Sequence, residues 1–335
     1  MTTTTWPRAA SPALPAGDRG VLLLRLAGLC LLAHAGLTLF SAVGFATFLA
    51  PPLPAWLLTP ENQAVMQFMF KFGGQSTVVL GALAALFHMA SLFGARRTAV
   101  VFAVAFAIAL AAEYTGTSTG YPFGPYSYTP QLGYLIGGRV PFNIPTSWFY
   151  MLYASLAICG RLLPARDGAR SRWVWAAVAA VVLTAWDVSM DPAMVATTHW
   201  IWHLEDPAGK PAWVAFLTTD FFYGMPITNW LGWLLTGFVV ARAMLALVPP
   251  SEWAGRVSPT RLPLWLYAVN GVLPVAICIG RGLWIAVVAG TLAMAIPLAL
   301  AIAARRRAPA TPPLPGAAGR ARVAPAAGSA AMAGD

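Results

Sequence analysis

Long apolar runs broken by short polar stretches set the pattern of this chain. Runs of roughly 18 or more apolar residues read as membrane-spanning helices. On that reading the sequence divides into eight spans, over residues 21–42, 64–93, 98–112, 147–163, 173–190, 226–248, 262–279 and 283–304. A short apolar piece, 212–225, follows a wet stretch after the fifth span. The first run is too long for the core of a cleaved signal peptide and reads as the first span. The predicted fold class is all-α: a polytopic integral membrane helix bundle occupying 21–304 as one domain. A polar, Pro-rich and disordered N-terminus (1–20) precedes it, and an Ala/Pro/Gly-rich disordered tail (305–335) follows. No internal repeat is visible.

The pattern fails between Glu113 and Trp148. Tyr121, Phe123, Tyr126, Tyr128, Tyr134, Phe142 and Trp148 lie among glycines and prolines, and Pro122, Pro125, Pro130, Pro141 and Pro145 forbid a continuous helix. Glu113 is its one acid and Arg139 its one base. One reading is an interfacial loop whose rings sit at headgroup depth, as aromatic belts do. The other is an ordered loop folded back over a cavity, where irregular backbone is tolerated at membrane depth. The density of rings and turn residues favours the second.

Composition agrees with the pattern. The 335 residues are 59% hydrophobic and 10% charged, with a mean hydropathy of +0.68. Cys30, Cys159 and Cys278 all fall inside apolar runs and read as small core residues, not as a disulfide or zinc framework. The net charge of +10 is no sign of a nucleic-acid partner, because the arginines fall in the short loops between spans. With the N-terminus in the cytoplasm, Lys71, Arg139, Lys210 and Arg281 alone map to the outer side. This asymmetry predicts a multi-pass protein of the cell membrane with both termini cytoplasmic.

Acids distribute the other way. Glu113 closes the third span, and Asp187 and Asp191 end the fifth in WDVSMDP, all in the outer half. Ionisable groups at such positions are costly and usually functional. The i, i+4 spacing puts the two aspartates on one helical face. Like charges so placed do not both ionise easily, so one is expected to hold a proton as a general acid. The structural alternative has Asp191 capping a turn before Pro192. Tyr223, Asn229, Trp230 and Trp233 add polar handles to an apolar segment, where Asn229 serves either a neighbouring helix or a ligand. His199 and His203, also at i, i+4, resemble part of a metal site. With four histidines in the chain, an amphipathic interfacial segment is the better reading. The Asp187/Asp191 spacing is also that of one half of a prenyltransferase diphosphate site, but a second Asp-rich motif is missing.

The residues Glu113, Gly116, Gly120-Tyr121-Pro122-Phe123-Gly124-Pro125-Tyr126, Leu132-Gly133, Val140-Pro141, Ile144-Pro145 and Trp148-Phe149 resemble the membrane-embedded carotenoid-biosynthesis protein family. So do Asp187 to Pro192 and the run from Tyr223-Gly224 through Pro226, Asn229-Trp230 and Gly232-Trp233. That family includes bisanhydrobacterioruberin hydratases and carotenoid 1,2-hydratases of the CruF type. The resemblance implies cofactor-independent addition of water to the terminal C1–C2 double bond of an acyclic ψ-end group. It implies a carotenoid substrate entering from the lipid bilayer, and leaves room for other carotenoid-pathway enzymes as partners. In that chemistry Asp187 or Asp191 donates the proton, Glu113 handles water, and Tyr121, Phe123, Tyr126 and Trp148 line the cation site, with Tyr223, Asn229 and Trp230 as further substrate contacts. A membrane prenyltransferase or elongase, or a non-catalytic carotenoid or lipid carrier, is the alternative.

Overall fold

A computed structural model describes residues 17–48, 52–204 and 206–306. The expected disordered ends lie outside the described residues, except that Gly17–Gly20 form the first turn of the first helix and Arg305 and Arg306 end the last one. The long helices are α1 (Gly17–Val43), α2 (Pro60–Phe93), α3 (Ala95–Thr119), α4 (Asn143–Leu162), α5 (Ala169–Ala196), α7 (Ile227–Leu247), α9 (Leu262–Gly280) and α10 (Trp284–Arg306). Two short helices, α6 (Ala212–Thr218) and α8 (Pro250–Glu252), flank α7. Seven of the long helices are apolar and long enough to cross a membrane. The eighth, α4, has 20 residues and thus a length of about 30 Å.

The bundle is built around α4. Its residues from Pro145 to Cys159 are buried without interruption, and it packs against α2, α3, α5, α9 and α10. Its serine and threonine hydroxyls, on Thr146, Ser147 and Ser155, donate to backbone carbonyls three or four residues back, which lets every side of the helix face the interior. The peripheral helices turn leucine, isoleucine and phenylalanine outward, as at Leu29, Leu32 and Phe40 on α1 and Ile285, Leu292 and Ile296 on α10. Such faces suit lipid tails. At one end Arg97 bonds both Glu252 carboxylate oxygens and the Leu247 carbonyl, tying α3 to α7 and α8.

Two helices outrun their apolar patterns. α3 continues past Ala112 to Thr119, where Gly120 adopts the left-handed conformation and its N–H bonds the Gly116 carbonyl. Glu113 therefore sits inside a helix and does not close one. α5 continues past Met190 through Pro192 to Ala196. The proline lacks a backbone donor, but Asp191, Pro192 and Ala193 are buried against neighbours that hold the helix together. Asp191 is thus a mid-helix residue and not the cap of a turn.

The segment between α3 and α4 is ordered. Strand β1 (Tyr126–Tyr128) pairs antiparallel with β4 (Trp200–Trp202), in the register Tyr126↔Trp202, Ser127↔Ile201, Tyr128↔Trp200. The ribbon is extended by Thr129 N–H to the His199 carbonyl at 3.0 Å and His203 N–H to the Pro125 carbonyl at 2.8 Å. A second hairpin joins β2 (Leu135–Ile136) to β3 (Val140–Pro141) through Gly137-Gly138, both at positive φ. The stretch His199–His203, expected as an amphipathic interfacial segment, contributes a strand to this ribbon. Trp200, Ile201 and Trp202 alternate faces as strand residues do, so both tryptophans turn inward and Ile201 outward.

Candidate active site beneath the aromatic ribbon

The three acids of the third and fifth spans are buried: Glu113 is 3% exposed, Asp187 0% and Asp191 2%. The ribbon roofs them. Because side chains on a strand repeat every two residues, Tyr126 and Tyr128 share one face of β1, and Trp200 and Trp202 share the matching face of β4. The tyrosines serve Glu113: both hydroxyls donate to Oε2, Tyr128 at 2.7 Å. Trp148 of α4 donates its indole N–H to Oε1 at 2.9 Å. The tryptophans of the ribbon serve Asp191, donating to Oδ1 at 3.3 Å from Trp200 and 3.1 Å from Trp202. From below, the Asn229 amide of α7 donates to Asp191 Oδ2 and Asp187 Oδ2, each at 2.9 Å. Burial, and next the charge of Glu113, pushes the Tyr126 and Tyr128 hydroxyls well above the usual phenol range, so both remain donors.

Glu113, Asp191 and Asn229 share a chamber of about 50 Å³. Rings make most of its wall: Phe123, Tyr126, Tyr128, Trp148, Trp186, Trp200, Trp202 and Trp233. Trp148 and Trp233 stack with centroids 4.4 Å apart, and Trp186 meets Trp233 edge-on at 6.1 Å. Phe123 is gripped between helices by two glycines. A Cβ on Gly116 of α3 would stand 2.7 Å from the Phe123 ring, and one on Gly232 of α7 2.5 Å from it. A water needs about 10–15 Å³ on this measure, so the chamber admits a few waters or the branched tip of a chain.

Beside it lies a second cavity of about 710 Å³ among α1, α2, α4, α5 and α9, mostly apolar. The two share Ile144, Ser147, Trp186, Met190 and Trp200 as walls. Leu39, Phe40, Val43, Trp56 and Val65 line the larger one and are also exposed, so among the described residues it faces outward between α1 and the start of α2.

The other expected site residues divide. Phe123, Tyr126, Trp148 and Asn229 line the chamber with Glu113 and Asp191. Asp187 does not; it lies one turn behind Asp191, its Oδ1 buried without a hydrogen-bond partner, with Trp230 as a neighbour. Tyr121 is 78% exposed and lines neither cavity, because the chain turns inward only after it. Tyr223 also lies outside, its hydroxyl accepting the Ile285 N–H at 3.2 Å. Trp230 packs against Phe221 and Phe222. The two histidines part company across the strand: His199 Nδ1 lies 2.7 Å from the Thr197 hydroxyl beside the larger cavity, and His203 Nε2 2.7 Å from the Ser127 hydroxyl. Among the described residues no group of three His, Cys, Asp or Glu side chains is arranged to hold a metal ion. Sequence reasoning missed Tyr128, Trp186, Trp200 and Trp202 as site residues. The period-2 placement of Trp200 and Trp202 was the available signal.

The residues of this site lie within a match to a family model. The model, described as carotenoid biosynthesis protein, matches residues 73–297. This chain belongs to the carotenoid biosynthesis protein family. Over 127 residues it is 31% identical to the bisanhydrobacterioruberin hydratase of Haloarcula japonica, an alignment covering 38% of this chain and 38% of that relative. No solved structure matches the chain. The family match spans the helices that carry Glu113, Asp187, Asp191 and Asn229. As a multi-pass membrane protein of carotenoid biosynthesis, the family member keeps its buried acids between the aromatic ribbon and the apolar bundle.

Proposed function

We propose that this protein is a carotenoid hydratase that adds water to the terminal double bond of an acyclic end group. The observation that carries the reading is the shared chamber: Glu113 and Asp191 border one ring-walled space that adjoins a long apolar cavity. The name of the Haloarcula japonica relative points the same way.

A trisubstituted alkene is inert to water until it is protonated. Asp191 supplies the proton, which bonds to C2 with the π electrons and leaves a tertiary cation at C1. Trp148, Trp186 and Trp233 line the chamber, where an aromatic ring stabilises a cation held against its face by about 0.5–2 kcal/mol. Water attacks C1 through its oxygen, and its surplus proton passes to Glu113. The sum is alkene plus water to tertiary alcohol, and the proton returns to Asp191 between turnovers.

The assignment of roles rests on the donors. Glu113 accepts from Tyr126, Tyr128 and Trp148, an arrangement that favours a carboxylate able to take a proton from water. Asp191 and Asp187 both accept from the Asn229 amide, and two neighbouring buried carboxyls are most stable holding one proton as a pair. Asp191, which borders the chamber, is the member placed to deliver it, with Trp200 and Trp202 stabilising the carboxylate left behind. Asp187, outside the chamber, acts through Asn229 as a positioning residue and proton reserve. With both termini cytoplasmic, as the charge asymmetry favours, the chamber lies toward the outer face. The test is expression in a strain that makes the acyclic precursor. The 1-hydroxy product is expected with the intact protein and not with Asp191→Asn. Unchanged pigment with the intact protein would contradict the reading.

A further inference from the structure

Trp186 of α5 lines both cavities, and its polar end is held from α9. The indole N–H donates to the backbone carbonyl of Asn270 at 2.9 Å. In an unbroken α-helix that carbonyl would already accept the N–H four residues on. Here the residue four on is Pro274, which lies inside α9 and has no N–H to give. Asn270 and Pro274 are both buried, and a backbone carbonyl left without a donor at such a place is costly. The indole of Trp186 supplies the missing donor. Each group satisfies the other.

The Asn270 side chain ties the same turn of α9 to three further helices. Tyr150 of α4 donates to Oδ1 at 3.0 Å, and Nδ2 donates to the Leu266 carbonyl within α9 at 2.7 Å. Nδ2 also lies 3.3 Å from His34 Nε2 of α1, and His34 Nδ1 lies 2.8 Å from the Thr77 carbonyl of α2. A carbonyl only accepts, so Nδ1 carries the proton and Nε2 is left to accept from Asn270. The turn that receives the indole is therefore braced from α1, α2 and α4. On the chamber side Trp186 meets Trp233 edge-on, and Trp233 stacks on Trp148.

We infer that Pro274 and Asn270 are positioning residues: the carbonyl that Pro274 frees holds the Trp186 indole in the wall of the chamber. What the ring does there rests on the proposed hydration; what holds it rests on the hydrogen bond alone. The proline is thus a device for presenting an acceptor to a tryptophan on another helix.

The experiment returns the missing donor. Pro274→Ala gives α9 an N–H that competes with Trp186 for the Asn270 carbonyl. In the full-length protein in detergent, the Trp186 indole proton is followed by nuclear magnetic resonance, identified by its loss in Trp186→Phe, and needs no turnover. Its resonance is expected to move upfield and to exchange faster with solvent in Pro274→Ala. With an acyclic carotene as substrate, kcat should fall about tenfold, the scale of one hydrogen bond, with KM little changed. Melting temperature should not fall, because alanine suits a helix interior better than proline. In Trp186→Phe, which keeps a ring without the donor, adding Pro274→Ala should cause no further loss of kcat. An unmoved resonance, or an unchanged kcat in Pro274→Ala, would overturn the inference. A loss that persists at full size in the Trp186→Phe background would overturn it too, since it would reach the site by another route. A moved resonance in a protein that hydrates nothing would sink the hydratase reading and leave the hold on Trp186 standing.

Discussion

Tyr126 and Trp202 face each other across the two-stranded ribbon, yet their polar atoms serve different acids: the tyrosine hydroxyl donates to Glu113 and the indole N–H to Asp191. Their rings lie 5.1 Å apart, so one packed pair spans both halves of the site. The next pair along, Tyr128 and Trp200, repeats the arrangement. The ribbon donates to both acids and roofs the chamber they share. Removing one donor without removing its ring, as in Tyr128→Phe or Trp202→Phe, is expected to lower turnover about tenfold. Pigment conversion rates in membranes check this, and a variant at full rate would show that the roof only covers the site.

The acids should rank by access to the chamber. Asp191→Asn and Glu113→Gln are each expected to lose about 10²–10⁴-fold in turnover, the usual range for a proton-transferring side chain. Asp187→Asn keeps the bond to Asn229 within reach and should retain clearly more activity, because Asp187 does not border the chamber. Initial rates of the three variants at matched expression give the order. Asp187→Asn as the most damaged of them would reverse the assignment.

Packing around Phe123 has little slack. In Gly232→Ala the new methyl would fall 2.5 Å from the ring and 3.0 Å from the Phe123 Cα and the Pro122 carbonyl carbon, and backbone cannot yield as a flexible side chain can. Overpacking of this kind costs about 1–3 kcal/mol. A lowered melting temperature in detergent is expected, and the smaller variant Phe123→Leu should restore part of the loss when combined with it.

Stability near the ribbon should depend on pH through His199, where burial lowers the imidazole from its ordinary 6.5 to about 4. Below 6.5 the unfolded chain takes up a proton that the folded protein refuses until about pH 4. Stability contributed by neutral His199 is therefore whole above 6.5 and is lost progressively as pH falls from 6.5 toward 4. Melting temperature measured across that window should fall less steeply for His199→Gln than for the unaltered protein. Identical slopes would count against a neutral, buried His199.

What the sequence made legible follows from cost. Glu113, Asp187, Asp191 and Asn229 are polar residues in apolar helices, and the expense of placing them there marks them whatever the surrounding geometry. The aromatic stretch could be read as a folded lid because its prolines exclude a helix and its composition excludes a solvated loop. The direction of each ring could not be read. Tyr121 and Tyr126 look alike in sequence, and only the turn between them sends one outward and the other to Glu113. Trp200 and Trp202 were hidden by the His199/His203 spacing, which mimics a helix. Their strand partner lies more than seventy residues away, and no local pattern reports it. α3 and α5 ran past their expected ends because capping at Gly120 and packing around Pro192 override the local signals.

The central claim is that a proton from Asp191 reaches the alkene and that water then supplies the oxygen. The direct measurement is mass analysis of the pigment formed by membranes holding this protein, incubated with an acyclic carotene in water enriched in heavy oxygen. The account predicts a product heavier by one labelled water, formed by the unaltered protein and lost in Asp191→Asn. An unlabelled product, or a labelled one that persists in Asp191→Asn, would contradict it.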